Sequence, residues 1–292
     1  MDDFNVYRSK IEKRLRDSLE DFGKTQSGLR NPIEYALLGG GKRVRPLLVC
    51  LFADSIQKRR DVLDTAIAVE YIHTSTLIAD DLPCMDNDDM RRGKPSVHKA
   101  FDEASALLAS YALIPAAYAR IRKNAKALKE VVSVQREIED AYEDVLDLIE
   151  LRFGVEGVLG GQYEDVFFQS FTEESVINII NKKTSALFEI ACVSGWLFGG
   201  GAREKTPLVI EFARNFGILF QIGDDLADLS QDNQEEKHMN YALLFGEQAA
   251  KDLLNRSFNS CIEILHLLKE KGVKPLEELC KKVFMGGNKH SL

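Results

Sequence analysis

The feature that most restricts how this chain can fold is what it lacks. Seven prolines occur in 292 residues, well under the usual share of about 5%. Alternating apolar and polar runs closed by Asn-Gly or Asp-Gly turns, the mark of hairpin strands, are hard to find. Helical spacing recurs instead, along Ile67, Tyr71, Thr74 and Ile78 and again along Val145, Leu148, Leu151 and Val155, which predicts an almost entirely α-helical chain. Breakers predict where helices stop: Gly39-Gly40-Gly41 after an N-terminal helix pair, Pro83 after the helix carrying Asp80 and Asp81, then Gly160-Gly161 and Gly199-Gly200-Gly201. The charged stretch from Arg120 to Glu150 reads as a solvated helix face. No repeat, low-complexity tract or flexible linker divides the sequence, so one all-helical domain over residues 1–292 is expected.

Charge and cysteines narrow the function. Thirty-eight Lys and Arg against forty-six Asp and Glu give a net charge of -8, without the basic footprint that nucleic-acid binding needs. Five scattered cysteines with no Cys-x-x-Cys spacing read as reduced thiols rather than a disulfide frame or a zinc site. Met1-Asp2-Asp3-Phe4 is acidic and without an apolar h-region, so a signal peptide is not expected. The longest stretch without a charge, Ala104 to Ala119, contains Pro115 and falls short of the roughly 18 residues of a membrane span. The expectation is a cytoplasmic protein with no membrane span.

Two acidic clusters carry the chemistry. Asp80-Asp81 is followed, after Pro83, by Asp86 and Asp88-Asp89; the second cluster is Asp224-Asp225 with Asp228. Asp224 and Asp228 are four apart, so a helix sets both carboxylates on one face, where like charges repel unless a cation joins them. Their surroundings are apolar (Phe216 to Phe220 before, Leu229 after), and hard oxygen donors in such a setting suit Mg²⁺. Asp80 and Asp86 are six apart and do not align on a helix. Pro83 disfavours helix at Leu82, so the chain can turn there and bring Asp86 back toward Asp80. Basic residues supply the third element. Lys42, Arg43 and Arg45 follow a glycine turn, and Arg91-Arg92 follow the first acidic cluster. Cations beside a carboxylate-bound metal are what a diphosphate requires. His73 lies two turns before Asp80 on the same helix face and adds a candidate phosphate hydrogen bond.

Taken in order, Gly40 to Pro46 (GGKRVRP), the string DDLPCMDNDDMRRGKPSVH from Asp80 to His98, Gly160-Gly161-Gln162, Lys183-Thr184 and FQIGDDLAD from Phe220 resemble the trans-isoprenyl diphosphate synthases. The first acidic string is most similar to bacterial and plastid-type geranylgeranyl diphosphate synthases. The resemblance implies a helical bundle around a deep central cavity, a homodimer, and condensation of isopentenyl diphosphate with an allylic diphosphate. It implies Mg²⁺ held by Asp80, Asp81, Asp86 and Asp224, with Asp225 and Asp228 contributing directly or behind them. Lys42, Arg45, His73 and Arg92 would bind isopentenyl diphosphate; Arg91, Lys183, Thr184, Gln221 and Lys237 would bind the allylic diphosphate. An aromatic residue just before the first motif closes the chamber early in this family. The small Ser75 and Thr76 here imply a C20 product, with Tyr111 a candidate floor.

The sequence departs from the family in two places. Ser110-Tyr111 replaces the usual Gly-Asp. The segment between Asp228 and Asn240-Tyr241 is short and offers Lys237 where the family has two lysines. Alternatives are a farnesyl (C15) synthase, a non-catalytic subunit of a prenyl diphosphate synthase, which the short loop favours and the retained acidic motifs oppose, and a terpene cyclase, which needs no second diphosphate site.

Overall fold

A computed structural model describes residues 3–23, 28–133, 135–167, 172–229 and 240–286. The described chain is helical apart from one two-stranded hairpin. It divides into two compact units, Met1–Cys50 with Asp61–Tyr142, and Leu51–Arg60 with Glu143–Leu292.

The first unit contains α1 (Asp3–Ser18), α2 (Arg30–Leu37), the start of α3 (Val44–Ser55), α4 (Leu63–Asp80), strands β1 (Met90–Arg91) and β2 (Lys94–Pro95), the short α5 (Val97–Ala100) and α6 (Glu103–Val131). Helix α4 is its core. Twelve of its eighteen residues are buried, because its apolar residues run around most of its circumference rather than along one stripe. α6 packs along it through Ala106, Ala109, Leu113, Ala117 and Ile121, all buried. Ile11 and Leu15 of α1, one turn apart, are fully buried on another side. α6 starts where Asp102 accepts a hydrogen bond from the Ser105 amide at 2.7 Å, an N-cap. It continues through Pro115 for 29 residues. That length bears on the expectation of no membrane span: by length and composition α6 is apolar enough to cross a bilayer, with a mean hydropathy of 1.3 in its most apolar window, a test that the core helix of a soluble protein also passes.

Arg120 corrects another expectation. Although it opens the charged stretch, it is 5% exposed and bonds Asp21 at 2.5 Å and Asp64 at 2.7 Å. Arg14 adds a contact to Asp64 at 3.0 Å. Burial raises the Asp64 pKa, but Arg120 and Arg14 outweigh it and hold the carboxyl below its usual 3.8.

The second unit contains the end of α3, most of α7 (Gln135–Phe153), α8 (Val158–Val166), α9 (Glu173–Ile180), a π-helical turn over Asn181–Ser185, α10 (Ala186–Gly199), α11 (Thr206–Ala227), α12 (Tyr241–Phe245), α13 (Glu247–Leu268) and α14 (Lys274–Gly286). All fourteen residues of α10 are buried. Phe188 of α10 meets Phe216 of α11 edge-on at 5.1 Å, and Phe212 meets Phe52 at 5.2 Å. Lys58 and Arg60 donate to the Gly200 and Phe198 carbonyls, satisfying the C-terminal end of α10 with positive charge. The glycine expectation holds at 199–201, where Gly200 (φ +90°) ends α10. It fails at Gly160-Gly161, which lie inside α8; the break falls at Gly154 to Gly157, where the Gly157 amide bonds the Gly154 carbonyl at 3.1 Å.

Removing Arg120 leaves a buried Asp64 short of its main partner, so Arg120→Met should lower unfolding free energy by about 3 kcal/mol, read from urea titration. Because the folded Asp64 pKa is depressed, its contribution is complete above the unfolded value and is lost as pH falls through the folded one. The urea midpoint should therefore drop between about pH 5 and pH 3, and drop less in Asp64→Asn.

Candidate functional site

In the first unit the candidate residues come from α4, the turn after it, the hairpin and the loop before α3. α4 ends at Asp80, and the Asp86 amide donates to the Asp80 carbonyl at 2.9 Å. The fold-back expected from Pro83 is thus a backbone hydrogen bond, which returns Asp86 to the residue that begins the motif. Asp81 is 2% exposed and accepts from Arg91: Nε at 2.8 Å, with Nη2 on the same oxygen. Arg91 Nη2 also reaches Asp88 at 3.0 Å. Burial pushes the Asp81 carboxyl up, and Arg91 offsets only part of that rise.

The hairpin sets the two arginines apart. Met90 pairs with Pro95 and Arg91 with Lys94, leaving Arg92-Gly93 as a two-residue turn with φ of 52° and 74°. Two positive φ values define the type I′ turn that matches strand twist. Arg91 therefore turns to Asp81, and Arg92 donates to the Gly40 carbonyl. Gly41 must be glycine here: its φ is +125°, and a Cβ would lie 2.5 Å from the Arg92 guanidinium carbon.

His73 Nε2 stands 3.2 Å from Arg45 Nη1. A guanidinium only donates, so Nε2 accepts and the proton sits on Nδ1. That nitrogen is buried and has no hydrogen-bond partner among the described residues. Burial, then Arg45, Arg92, Arg43 and Arg91, lower the His73 pKa well below 6.5. The imidazole is a neutral donor in a field of cations. The chain-length candidates separate: Ser75 is 2% exposed, its hydroxyl bonds the Ile72 carbonyl, and its own carbonyl accepts from Ser110, one of the departures from the family. Thr76 is half-buried, with its hydroxyl on the His73 carbonyl at 2.8 Å. Tyr111 is 63% exposed on α6.

In the second unit the site is built on the π turn. Such turns put an extra residue into a helix and reorient side chains; this one carries Lys183 and Thr184. Two helices approach it closely at glycines. A Cβ on Gly161 would stand 2.6 Å from the Lys183 amide, and one on Gly217 would stand 2.3 Å from the Ser185 hydroxyl. Lys183 pairs with Asp165 at 2.6 Å. Thr184 donates to the Gln221 carbonyl oxygen at 3.0 Å, and the Gln221 amide nitrogen donates to Asp225 Oδ1 at 2.9 Å. Asp225 Oδ2 accepts the Tyr241 amide at 2.8 Å, its backbone carbonyl accepts from Asn240 Nδ2, and the Tyr241 hydroxyl ends on Glu173 at 2.6 Å. Both Asp225 oxygens are engaged in hydrogen bonds that dock Asn240-Tyr241. Asp224 lies on α11 and Asp228 at its end. Lys237 lies outside the described residues.

Reading the sequence missed the Asp165–Lys183 pair and the Tyr241–Glu173 bond, and underweighted Gln162. Its amide is buried with neither polar atom partnered among the described residues. The orphaned amide is the kind of group a ligand satisfies.

The first acidic motif fits a hard divalent cation by donor chemistry, since Asp80 and Asp86 offer only carboxylate oxygens on one closed turn. Among the described residues no group of three His, Cys, Asp or Glu is gathered tightly enough to hold a metal. The tautomer of His73 can be tested directly. ¹⁵N chemical shifts of labelled imidazole should show an Nδ1–H ring that stays neutral from pH 8 to about 5.5. An Nε2–H ring, or one titrating near 6.5, would contradict the Arg45 contact.

Three comparisons with known proteins bear on this geometry. The sequence model of the polyprenyl synthetase family matches residues 26–267. Geranylgeranyl pyrophosphate synthase 7, chloroplastic, of Arabidopsis thaliana is 35% identical over 94% of this chain and 81% of its own length. The chloroplastic geranylgeranyl pyrophosphate synthase of Catharanthus roseus is 36% identical over 86% of this chain and 67% of its own. Among solved structures, an FPP/GFPP synthase from Zymomonas mobilis superposes with a TM-score of 0.82 at 28% identity, covering 96% of each chain. With the motifs in order and the match spanning most of the sequence, the chain belongs to the polyprenyl synthetase family.

Proposed function

We propose that this prenyltransferase condenses isopentenyl diphosphate with an allylic diphosphate and releases geranylgeranyl diphosphate, the C20 product. The observation that carries the reading is the cation cluster of the first unit. Arg45 rests on a neutral His73, and Arg92 is held on the glycine loop beside Lys42. An ionising enzyme with one diphosphate substrate has no need of it; an enzyme with two has. The named functions of similar plant proteins support the same product.

In this reading Arg91, Lys183, Thr184 and Gln221 hold the allylic diphosphate. Its C–O bond breaks and the electron pair leaves with the diphosphate. Asp80, Asp81, Asp86 and Asp224 would hold Mg²⁺, which would supply Lewis-acid charge to that leaving group. Asp225 and Asp228 serve behind it. Fixed cations aimed at the developing charge need no reorganisation during reaction. The double bond of isopentenyl diphosphate, placed by Lys42, Arg45, His73 and Arg92, forms the new C–C bond. A proton then leaves to the departed diphosphate. Water has to be kept from the carbocation, which it would quench as an alcohol.

Purified protein with Mg²⁺, isopentenyl diphosphate and C5, C10 or C15 allylic diphosphates should give a C20 product. Activity should fall by at least about 10²-fold in Asp80→Ala and in Asp224→Ala. Thr76→Phe should shorten the product to C15. Folded protein that makes nothing from any starter would instead favour the non-catalytic subunit.

We also read the chain as a homodimer through the outer face of α6. Ala104, Leu107, Leu108, Tyr111 and Pro115 are exposed there, with no charge between Ala104 and Ala119. A second copy is a partner of matching chemistry, and one similar protein is named as the large subunit of a heterodimer. Light scattering after size exclusion should give twice 32.8 kDa, falling to the monomer in Leu108→Glu. A monomeric wild-type protein would end this reading.

A further inference from the structure

The loop before α3 and the first turn of that helix carry three cations in four positions, Lys42, Arg43 and Arg45, and the structure does not treat them alike. The Arg43 side chain is 1% exposed. Its Nε donates to Glu12 of α1 at 2.7 Å, Nη1 to Glu70 of α4 at 2.5 Å, and Nη2 to the carbonyl of Leu37, the last residue of α2, at 2.7 Å. One planar fork thus joins three helices, which a lysine's point charge does not do. The Arg43 backbone is left-handed, φ 52°, following Gly40 at 89° and Gly41 at 125°. A non-glycine residue stays there only where its surroundings over-determine it. Its carbonyl then accepts the Leu47 amide at 3.1 Å and opens α3.

Arg43 and Arg45 are both met from α4, and the Lys42 backbone is held from α1. Glu70 and His73 lie one turn apart on α4; the first holds Arg43 and the second meets Arg45 at 3.2 Å. The Lys42 carbonyl accepts from Arg8 at 3.2 Å. Arg92 closes over Gly41 and donates to the Gly40 carbonyl. Lys42, Arg43, Arg45 and Arg92 would repel one another with no anion between them. Glu70, 1% exposed, is the buried counter-charge, and its field acts on both Arg43 and Arg92.

We infer that Arg43 is a positioning residue: clamped by Glu12 and Glu70, it sets the backbone from which Lys42 and Arg45 reach isopentenyl diphosphate. Glu70 supplies the buried counter-charge against which the Arg43 fork is set. The inference rests on Lys42 and Arg45 being the isopentenyl diphosphate site, as proposed above.

The test is steady-state kinetics with each substrate varied in turn, beside titration calorimetry of isopentenyl diphosphate and a melting curve. Arg43→Met keeps the stem and removes the fork. It should raise KM for isopentenyl diphosphate by at least about tenfold and leave KM for the allylic diphosphate within about twofold. Arg43→Lys keeps the charge and should behave like Arg43→Met, because geometry rather than charge is lost. If Arg43→Met does not fold, Glu12→Gln weakens the clamp from its half-exposed end and should shift the same KM alone by about threefold. Equal changes in both KM values, a lowered melting temperature with neither KM changed, or a wild-type Arg43→Lys would overturn the inference. Lys42→Ala separates the two failures: active enzyme with unchanged isopentenyl diphosphate affinity in that variant would show that the site assignment itself is wrong.

Discussion

The first unit turns on a helix with almost no solvent face. α4 is buried along most of its length, so a charged group on it is costly unless a neighbouring element matches it. Asp64 is matched by Arg120 and Arg14, Glu70 by Arg43, and His73 by Arg45. Asp80 and Asp81 lie at its end, ahead of Pro83, with Asp81 buried against Arg91. The order of these groups along one helix fixes what surrounds them. The charged pairs near its start tie down α1 and α6, those in its middle tie down the glycine loop, and its end presents carboxylates. Structural charges and candidate ligand-facing charges therefore share one helix.

The second unit reaches a comparable result by another means. The π turn at Asn181–Ser185 offsets Lys183 and Thr184 from the regular helix. Gly161 and Gly217 let α8 and α11 come close enough to use that offset. From Thr184 a run of hydrogen bonds passes through Gln221 and Asp225 to Tyr241 and Glu173. Asp225, second of an adjacent pair of aspartates, spends its carboxylate inside the protein. Adjacent residues on a helix point about 100° apart, so the two carboxylates of Asp224-Asp225 need not share a task.

Much of this was legible from residue order. The scarcity of proline, the helical spacing and the turn at Pro83 gave the helical class and the fold-back of Asp86. The acidic and basic clusters marked where chemistry lies. Other features were hidden for definable reasons. Arg120 sits in a charged run and reads as solvated; only the approach of Asp21 and Asp64, 99 and 56 positions away, makes it internal. Gly160-Gly161 read as a breaker because sequence does not distinguish a glycine that ends a helix from one that admits a neighbour. The Arg92-Gly93 hairpin was missed because strands of two residues leave no alternation to detect.

Local spacing and residue types in fixed order are enough for the helical class, the family resemblance and the inventory of charges. Packing alone settles which of those charges are enclosed by the fold. Lys42, Arg43 and Arg45 are indistinguishable as a basic run, yet Arg43 is consumed by Glu12, Glu70 and Leu37. Ser75 and Thr76 are equally small, yet Ser75 is closed against Ser110 and Thr76 is not. The reason is physical. A charged or polar side chain acquires its role from the groups that come within hydrogen-bonding distance, and those come from segments far away in the chain.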